Sequence, residues 1–240
     1  MVQRRSPYTL AVDIGGTGIK VMRLDARGRP ASELRRIETP SPATPAAVLG
    51  ALARAIRDLP PFDRVSVGFP GVVVDGVVRT AANLNPAWIG ESVTRRVRRL
   101  AHRPTRVAND ADIQGLGVVA GRGVELVITL GTGIGSALFL DGQLVPNLEL
   151  GHHPFERGRT YEELLGDRAL KRIGKASWNR RLRRAVETLV NTFSCRRLYL
   201  GGGNARLITG RLPAGVCVVD NVAGLLGGIR LWTARARPAR

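Results

Sequence analysis

The sequence is poor in cysteine, lysine and acidic residues, and it has no long apolar run. Cys195 and Cys217 are the only cysteines in 240 residues. Neither has metal-ligand spacing. Both sit beside or within strand-like runs, so reduced and mostly buried thiols are expected. No apolar stretch approaches the ~20 residues of a membrane span. Met1-Val2-Gln3-Arg4-Arg5 carries charge, but neither a long apolar stretch nor a small-residue cleavage site follows it. That predicts no signal peptide and a cytoplasmic protein. The only lysines are Lys20, Lys171 and Lys175. Low-complexity segments and long linkers are also missing.

What is present is arginine. Lys+Arg number 37 against 19 Asp+Glu, a net charge of +18. That excess favours polyanionic partners: nucleic acid, phosphate polymers or an anionic surface. The basic residues cluster. Arg95, Arg96, Arg98, Arg99, Arg103 and Arg106 form one group. Lys171, Arg172, Lys175, Arg180, Arg181, Arg183 and Arg184 form another. Taken singly these are solvated helix faces; as groups they suit a track for a long phosphate chain. A hydrophobic share of 44% gives ample core for two small domains or one larger one.

The chain is organised around Asp13-Ile14-Gly15-Gly16-Thr17-Gly18-Ile19-Lys20, set between the apolar runs Leu10-Ala11-Val12 and Val21-Met22-Arg23-Leu24-Asp25. This is strand, glycine turn, strand. It excludes the dinucleotide-binding and P-loop patterns, which need a helix directly after the glycines. A tight glycine turn exposes backbone N–H groups that bind anionic oxygen. Thr17 and Lys20 add a hydroxyl and a charge, and Asp13 is placed to hold a divalent ion such as Mg²⁺. A second copy follows. Leu130-Gly131-Thr132-Gly133-Ile134-Gly135-Ser136 lies between Leu126-Val127-Ile128 and Ala137-Leu138-Phe139-Leu140. Gly15, Gly16, Thr17, Gly18 and Lys20, with Gly131, Thr132 and Gly133, are therefore the phosphate-binding candidates. Two copies of one hairpin predict two similar halves facing a shared cleft.

The remaining periodicity fills in the halves. Strands are expected over 8–14, 19–25, 32–38, 65–69 and 105–108, with a helix over 46–59 that Pro60-Pro61 ends. Asp75-Gly76 marks a hairpin turn within 72–78. Residues 91–100 read as a basic helix and 112–120 as a helix. One or two short helices over 160–175 precede a longer one over 178–193. Strands at 197–200 and 216–219 and a helix over 223–232 close the chain. The domains expected are 1–108 and 109–232, followed by a basic tail, 233–240.

The paired hairpins resemble the two phosphate loops of the actin-like ATPase superfamily, and more narrowly those of the ROK sugar kinases. Val67-Gly68-Phe69-Pro70-Gly71, Thr80-Ala81-Ala82-Asn83-Leu84, Asn109-Asp110-Ala111-Asp112 and Glu149-Leu150-Gly151-His152 stand in the order that family uses. The wording is closest to its polyphosphate glucokinase and glucomannokinase branch, over roughly residues 8 to 232. The resemblance implies an α/β protein of the ribonuclease-H-like, actin-like ATPase fold, with two domains around a cleft. It implies a hexose kinase using Mg²⁺ with polyphosphate, ATP or both, and a homodimer is common in the family. Asp110 corresponds to the general base; the simpler alternative is a helix cap. Gly68, Gly71, Asn83, Asn109, Asp110, Glu149 and His152 correspond to sugar ligands. Gly202, Gly203 and Asn204 correspond to the glycine run beside the nucleotide, or else form a tightly packed turn.

One departure matters. Many ROK kinases carry a cysteine-rich zinc motif after the Gly-His segment, whereas 153–194 has no cysteine, so no structural zinc is expected. The glutamate that usually follows that motif and contacts sugar is displaced with it, leaving Glu156 or Glu162 as substitutes. Two other readings stay open: an ATP-only kinase for mannose or an N-acetylated hexosamine, and a non-catalytic sugar- or nucleic-acid-binding relative. The family's repressors carry an N-terminal helix-turn-helix, and here only seven residues precede the first expected strand, so nucleic acid is the less favoured partner.

Overall fold

The computed structural model of the protein describes residues 6–81, 84–219 and 223–233. The chain divides into two compact units. One comprises the residues up to Gly117 together with those from Gly224, and the other is Val118–Ala223. The division falls after the helix that follows Asn109, not before it, and the C-terminal helical segment belongs with the first unit.

The first unit holds a five-stranded sheet in the order β3-β2-β1-β4-β7. Its strands are β1 (Thr9–Ile14), β2 (Gly18–Leu24), β3 (Arg35–Glu38), β4 (Arg64–Phe69) and β7 (Thr105–Asn109). β1 and β2 are antiparallel, while β1, β4 and β7 run parallel. Between β4 and β7 lies the small hairpin of β5 (Val73–Val74) and β6 (Val77–Val78), turning at Asp75-Gly76 as expected. Helix α1 (Pro45–Ile56) starts where the Thr44 side chain accepts from Ala47 N and Pro45 fills the first turn. Helix α2 (Val93–Ala101) starts at a Ser92 cap and ends at left-handed His102. Buried Val48, Leu52, Val93 and Val97 pack with Leu10, Val12 and Ile14 on one sheet face. Ala11, Met22 and Leu24 face the other way and meet Leu225. Both faces of β1 are covered, which is why Leu10-Ala11-Val12 is a continuous apolar run.

That second face is closed by the C-terminal segment. The expected helix over 223–232 is instead α6 (Ala223–Leu226) tightening into a 3₁₀ helix, Gly227–Trp232. Gly227 lies against the Ile113 carbonyl and Gly228 against Ser66, closer than any larger residue would come. Ser66 Oγ donates to Gly228 O at 2.6 Å and accepts from Trp232 Nε1 at 2.8 Å. Arg64 and Arg106 stack on the Trp232 ring.

Helix α3 (Asp110–Val118) begins two residues earlier than its expected start at 112. The Asn109 side chain already caps it by accepting from Ala111 N at 2.8 Å. The second unit then repeats the first sheet, in the order β10-β9-β8-β13-β14 with the same strand senses. Its strands are β8 (Val124–Leu130), β9 (Ile134–Leu140), β10 (Gln143–Val145), β13 (Arg197–Gly201) and β14 (Val216–Val218). The pair β11 (Pro154–Glu156) and β12 (Arg159–Thr160) leads into α4 (Tyr161–Leu165). The long helical run α5 (Asp167–Phe193) breaks at Gly174, with φ 74° and ψ 160°, a conformation that favours glycine. Trp178, Leu182, Val186 and Leu189 of α5 bury against Leu126, Ile128, Leu198 and Leu200.

The cysteines depart from expectation. Cys217 is exposed and Cys195 is half-buried. On the edge strand β14 Val216 packs against the core of the unit, whereas Cys217 and Val218 are exposed.

Glu125 is a buried carboxylate. It accepts from the backbone N–H groups of Ala120, Gly121 and Arg122 and from Tyr199 Oη, at 2.6–3.1 Å. Burial alone would raise its pKa, but these donors outweigh burial and hold it below the ordinary glutamate range. A depressed carboxylate contributes stability above its unfolded pKa and loses it as pH falls through the folded value. Glu125→Gln is therefore expected to cost about 2 kcal/mol at pH 7. That is a Tm drop of about 4–8 °C by calorimetry, narrowing as pH falls below the carboxylate range.

Candidate active site

The first hairpin lies between β1 and β2. Asp13 stands opposite Lys20 in the ladder, and Lys20 Nζ donates to Asp13 Oδ2 at 2.9 Å. Gly16 and Thr17 at the tip are exposed. The turn is closed by Gly15 N donating to Gly18 O at 3.0 Å. Thr39, at the end of β3, ties it down: its Oγ1 donates to Gly15 O at 2.6 Å, and its N–H reaches Thr17 O at 3.4 Å. Thr39 had no motif to mark it in the sequence.

The carboxyl ends of β1, β4 and β7 bring the first unit's other candidates together. Asp13 is the register partner of Gly68, and Phe69 that of Asn109. A Cβ on Gly68 would stand 3.6 Å from both Asp13 Oδ1 and the Asp110 Cα. Asn109 Nδ2 donates to Gly71 O at 3.2 Å, and Gly71 lies so close to the Thr80 carbonyl that no side chain fits there. Asp110 opens α3, and its Oδ1 accepts from Ala111 N at 2.8 Å. Asp112, the helix-start carboxylate two residues on, is buried. Asn83 lies outside the described residues.

The second unit gathers its candidates around Gly131–Gly133. Gly131 N donates to Gly133 O at 3.0 Å, and Thr132 is exposed. The turn Gly202-Gly203-Asn204 packs directly on this hairpin. Asn204 donates from N to Leu130 O (2.9 Å) and from Nδ2 to Gly131 O (3.3 Å). Gly202, at φ 85°, leaves room for the Leu130 backbone that a Cβ would fill. On another side Asp167 N donates to Gly131 O at 3.0 Å. Ser136 Oγ donates to Leu148 O and accepts from Leu150 N, which holds the Glu149–His152 turn against β9. Gly151 rests on the Ile134 carbonyl.

The two substitute carboxylates separate here. Glu156 is held by Arg184 at 3.1 Å, with Arg181 at 4.0 Å. Glu162 reaches the hairpin instead: Oε2 accepts from Ile134 N at 3.2 Å and touches Gly133. Thr160 and Glu163 form a reciprocal capping box that starts α4 and so aims Glu162. The Thr-x-x-Glu spacing was the signal for it in the sequence. His152 Nε2 lies 3.7 Å from Glu149 Oε2. Burial holds the Glu149 carboxyl above its ordinary range, His152 opposes the shift, and the Glu162 charge adds to it. Among the described residues, no group of three or more His, Cys, Asp or Glu is placed to hold a metal ion. No described helix is long and apolar enough to cross a membrane.

The ROK family model matches residues 9–163. The chain belongs to the ROK family. Across 92% of its length it is 33% identical to the polyphosphate glucokinase of Mycobacterium tuberculosis, of which it covers 89%. The inorganic polyphosphate/ATP-glucomannokinase of Arthrobacter sp. strain KM superposes with a TM-score of 0.86 at 34% identity, over 95% of this chain and 98% of that one. A ROK family glucokinase from Streptomyces griseus, in complex with glucose and AMPPNP, gives 0.75 at 23% identity over 93% and 98%. That last likeness is one of fold. This ROK protein is thus a mixed α/β chain of the actin-like ATPase fold.

The raised pKa of Glu149 has a thermodynamic sign. Below its unfolded pKa the group is neutral in both states and costs nothing. As pH rises through the folded value, ionisation in the partly dry site works against folding. Glu149→Gln is expected to raise Tm at pH 7–8, with the gain vanishing toward pH 4 in a calorimetric pH series.

Proposed function

We propose that the protein is a cytoplasmic hexose kinase that transfers a phosphoryl group from inorganic polyphosphate or ATP to the 6-hydroxyl of glucose. The observation that carries this reading is the repeated glycine hairpin at the same place in two like sheets, with Asn109-Asp110 at the end of a parallel strand in one of them. The 33% identity to a polyphosphate glucokinase over nearly the whole chain supports it.

Asp110 takes the proton of the 6-hydroxyl, and that oxygen attacks the terminal phosphorus. A new P–O bond forms as the bond to the donor's bridging oxygen breaks, leaving hexose 6-phosphate and a donor one phosphoryl group shorter. Backbone N–H groups at the tips of the two hairpins, with Thr17, Lys20 and Thr132, hold the phosphates, while those of Gly15 and Gly131 close the turns. Gly68 and Gly71 let the main chain come close to the sugar, and Asn83, Asn109, Glu149 and His152 bind its hydroxyls. Glu162 joins them in preference to Glu156, which its arginine partners neutralise. Gly202, Gly203 and Asn204 shape the donor side of the second hairpin.

Asp13 fits Mg²⁺ in the manner usual for phosphoryl transfer, in which one carboxylate is joined by phosphate oxygens and water. Its carboxylate is only part-buried, and Lys20 engages one oxygen. Mg²⁺, when bound, neutralises charge on the phosphates.

The test is formation of glucose 6-phosphate with Mg²⁺ and either donor. Asp110→Asn keeps an acceptor for Ala111 N–H and loses the base, so kcat is expected to fall about 10²–10⁴-fold with Tm little changed. A variant retaining near-normal kcat would remove Asp110 from the chemistry. Turnover with ATP alone would narrow the donor.

A further inference from the structure

The second basic group of the sequence sorts into engaged and unengaged cations. Lys171 pairs with Asp167 at 2.6 Å, Arg181 and Arg184 hold Glu156, and Arg180 donates to Ser177 Oγ. Arg172, Lys175 and Arg183 are exposed and make no ion pair among the described residues. Arg206, on the short turn Ala205–Leu207 after β13, is exposed in the same way.

These cations lie on two segments that leave the second hairpin together. α5 is pinned there by Asp167 N to Gly131 O, and the segment after β13 by Asn204 to Leu130 O and Gly131 O. Farther out the segments are stapled to each other. Asn179 Nδ2 donates to Leu207 O at 3.1 Å, and its Oδ1 accepts from Thr209 N at 2.8 Å. Lys175, Asn179 and Arg183 recur every four residues and share one helix face. Arg183 Nη2 lies over Gly210, 2.9 Å from where a Cβ would stand. The first basic group divides in the same way: Arg96 is bound to Glu91 and Arg103 to Phe62 O, Arg106 is bound to Leu231 O and stacked on Trp232, and Arg95, Arg98 and Arg99 are exposed on α2. What sets the second group apart is that its segments are hydrogen-bonded to a glycine hairpin.

We propose that Lys175, Arg183 and Arg206 form a strip that binds the length of a polyphosphate chain beyond the phosphoryl group being transferred. The proposal rests on the phosphoryl-transfer reading above and assigns its long donor a path. The strip fits a bare phosphate chain better than a nucleic acid. Single-stranded nucleic acid is bound through base stacking on aromatic rings as well as charge, and no described aromatic residue of this unit is exposed. Guanidinium and ammonium groups in a row supply what a bare phosphate chain needs.

The test compares Lys175→Gln/Arg183→Gln/Arg206→Gln with wild type on long-chain polyphosphate and on tripolyphosphate, which is too short to follow the strip. In the triple variant, KM for the long chain is expected to rise about tenfold or more and its log–log salt slope to flatten by about two. KM for tripolyphosphate should move less than about twofold. Arg98→Gln/Arg99→Gln on α2 should change neither. An equal rise for both donors, or none for the long chain, overturns the strip. So does loss of single-stranded RNA binding with polyphosphate kinetics intact. A wild type that phosphorylates glucose from ATP yet neither binds nor consumes long-chain polyphosphate also overturns it while leaving the kinase reading standing. If the wild type has no kinase activity with any donor, the kinase reading fails by itself. Binding of labelled polyphosphate to wild type and variant, measured without turnover, then decides the strip.

Discussion

Around Gly131–Gly133 the main chain of one segment lies against the main chain of the next. Gly202 abuts Leu130, Gly151 abuts Ile134, and Gly166 stands 2.9 Å from the Thr132 carbonyl at its would-be Cβ. Side chains would hold these segments apart by the width of a methyl group or more. Their absence draws the Glu149–His152 turn, the start of α5 and the Gly202–Asn204 turn to one hairpin. Each approach is then locked by a hydrogen bond, donated by Asp167 or Asn204 or accepted by the Ser136 hydroxyl from Leu150 N. The geometry of this hairpin is set by close packing first and by side-chain identity second.

The two units use one sheet plan for unlike tasks. The first hairpin is stiffened by charge and hydroxyl, through Lys20 on Asp13 and Thr39 on the turn. The second is stiffened mostly by backbone contact, with the Glu162 carboxylate accepting from Ile134 N. An ion pair adjusts when another charge arrives, whereas packed main chain does not. The first hairpin is thus suited to exchanging partners and the second to fixed placement.

Much of this was legible because its causes are local. Gly-Thr-Gly-Ile stands between two apolar runs in both hairpins, and Pro60-Pro61 stops the first helix through its own backbone chemistry. What escaped has causes distant in sequence. The three residues each of β10 and β11 and the two of β12 are too few to show a period, and their partners define them. Glu125 reads as a polar residue at a strand edge. Only the fold reveals three turn N–H groups and Tyr199 converging on it. Cys217 looks like a core residue, and only the fold shows it exposed while Val216 beside it packs inward. Sequence left Glu156 and Glu162 equivalent, and the arginines of α5 separate them.

The return of the C-terminal segment to the first sheet has a consequence for synthesis. Ala11, Met22 and Leu24 are made early, yet their cover, Leu225, comes more than two hundred residues later. A ribosome emits the whole second unit before the first can finish its core. Until then the nascent chain carries an apolar sheet face with nothing over it, a surface that trigger-type chaperones hold and that aggregation exploits. The stitch of Ser66 to Gly228 and Trp232 joins residues more than 160 positions apart, so loss of only the final few described residues would be felt in the oldest part of the molecule.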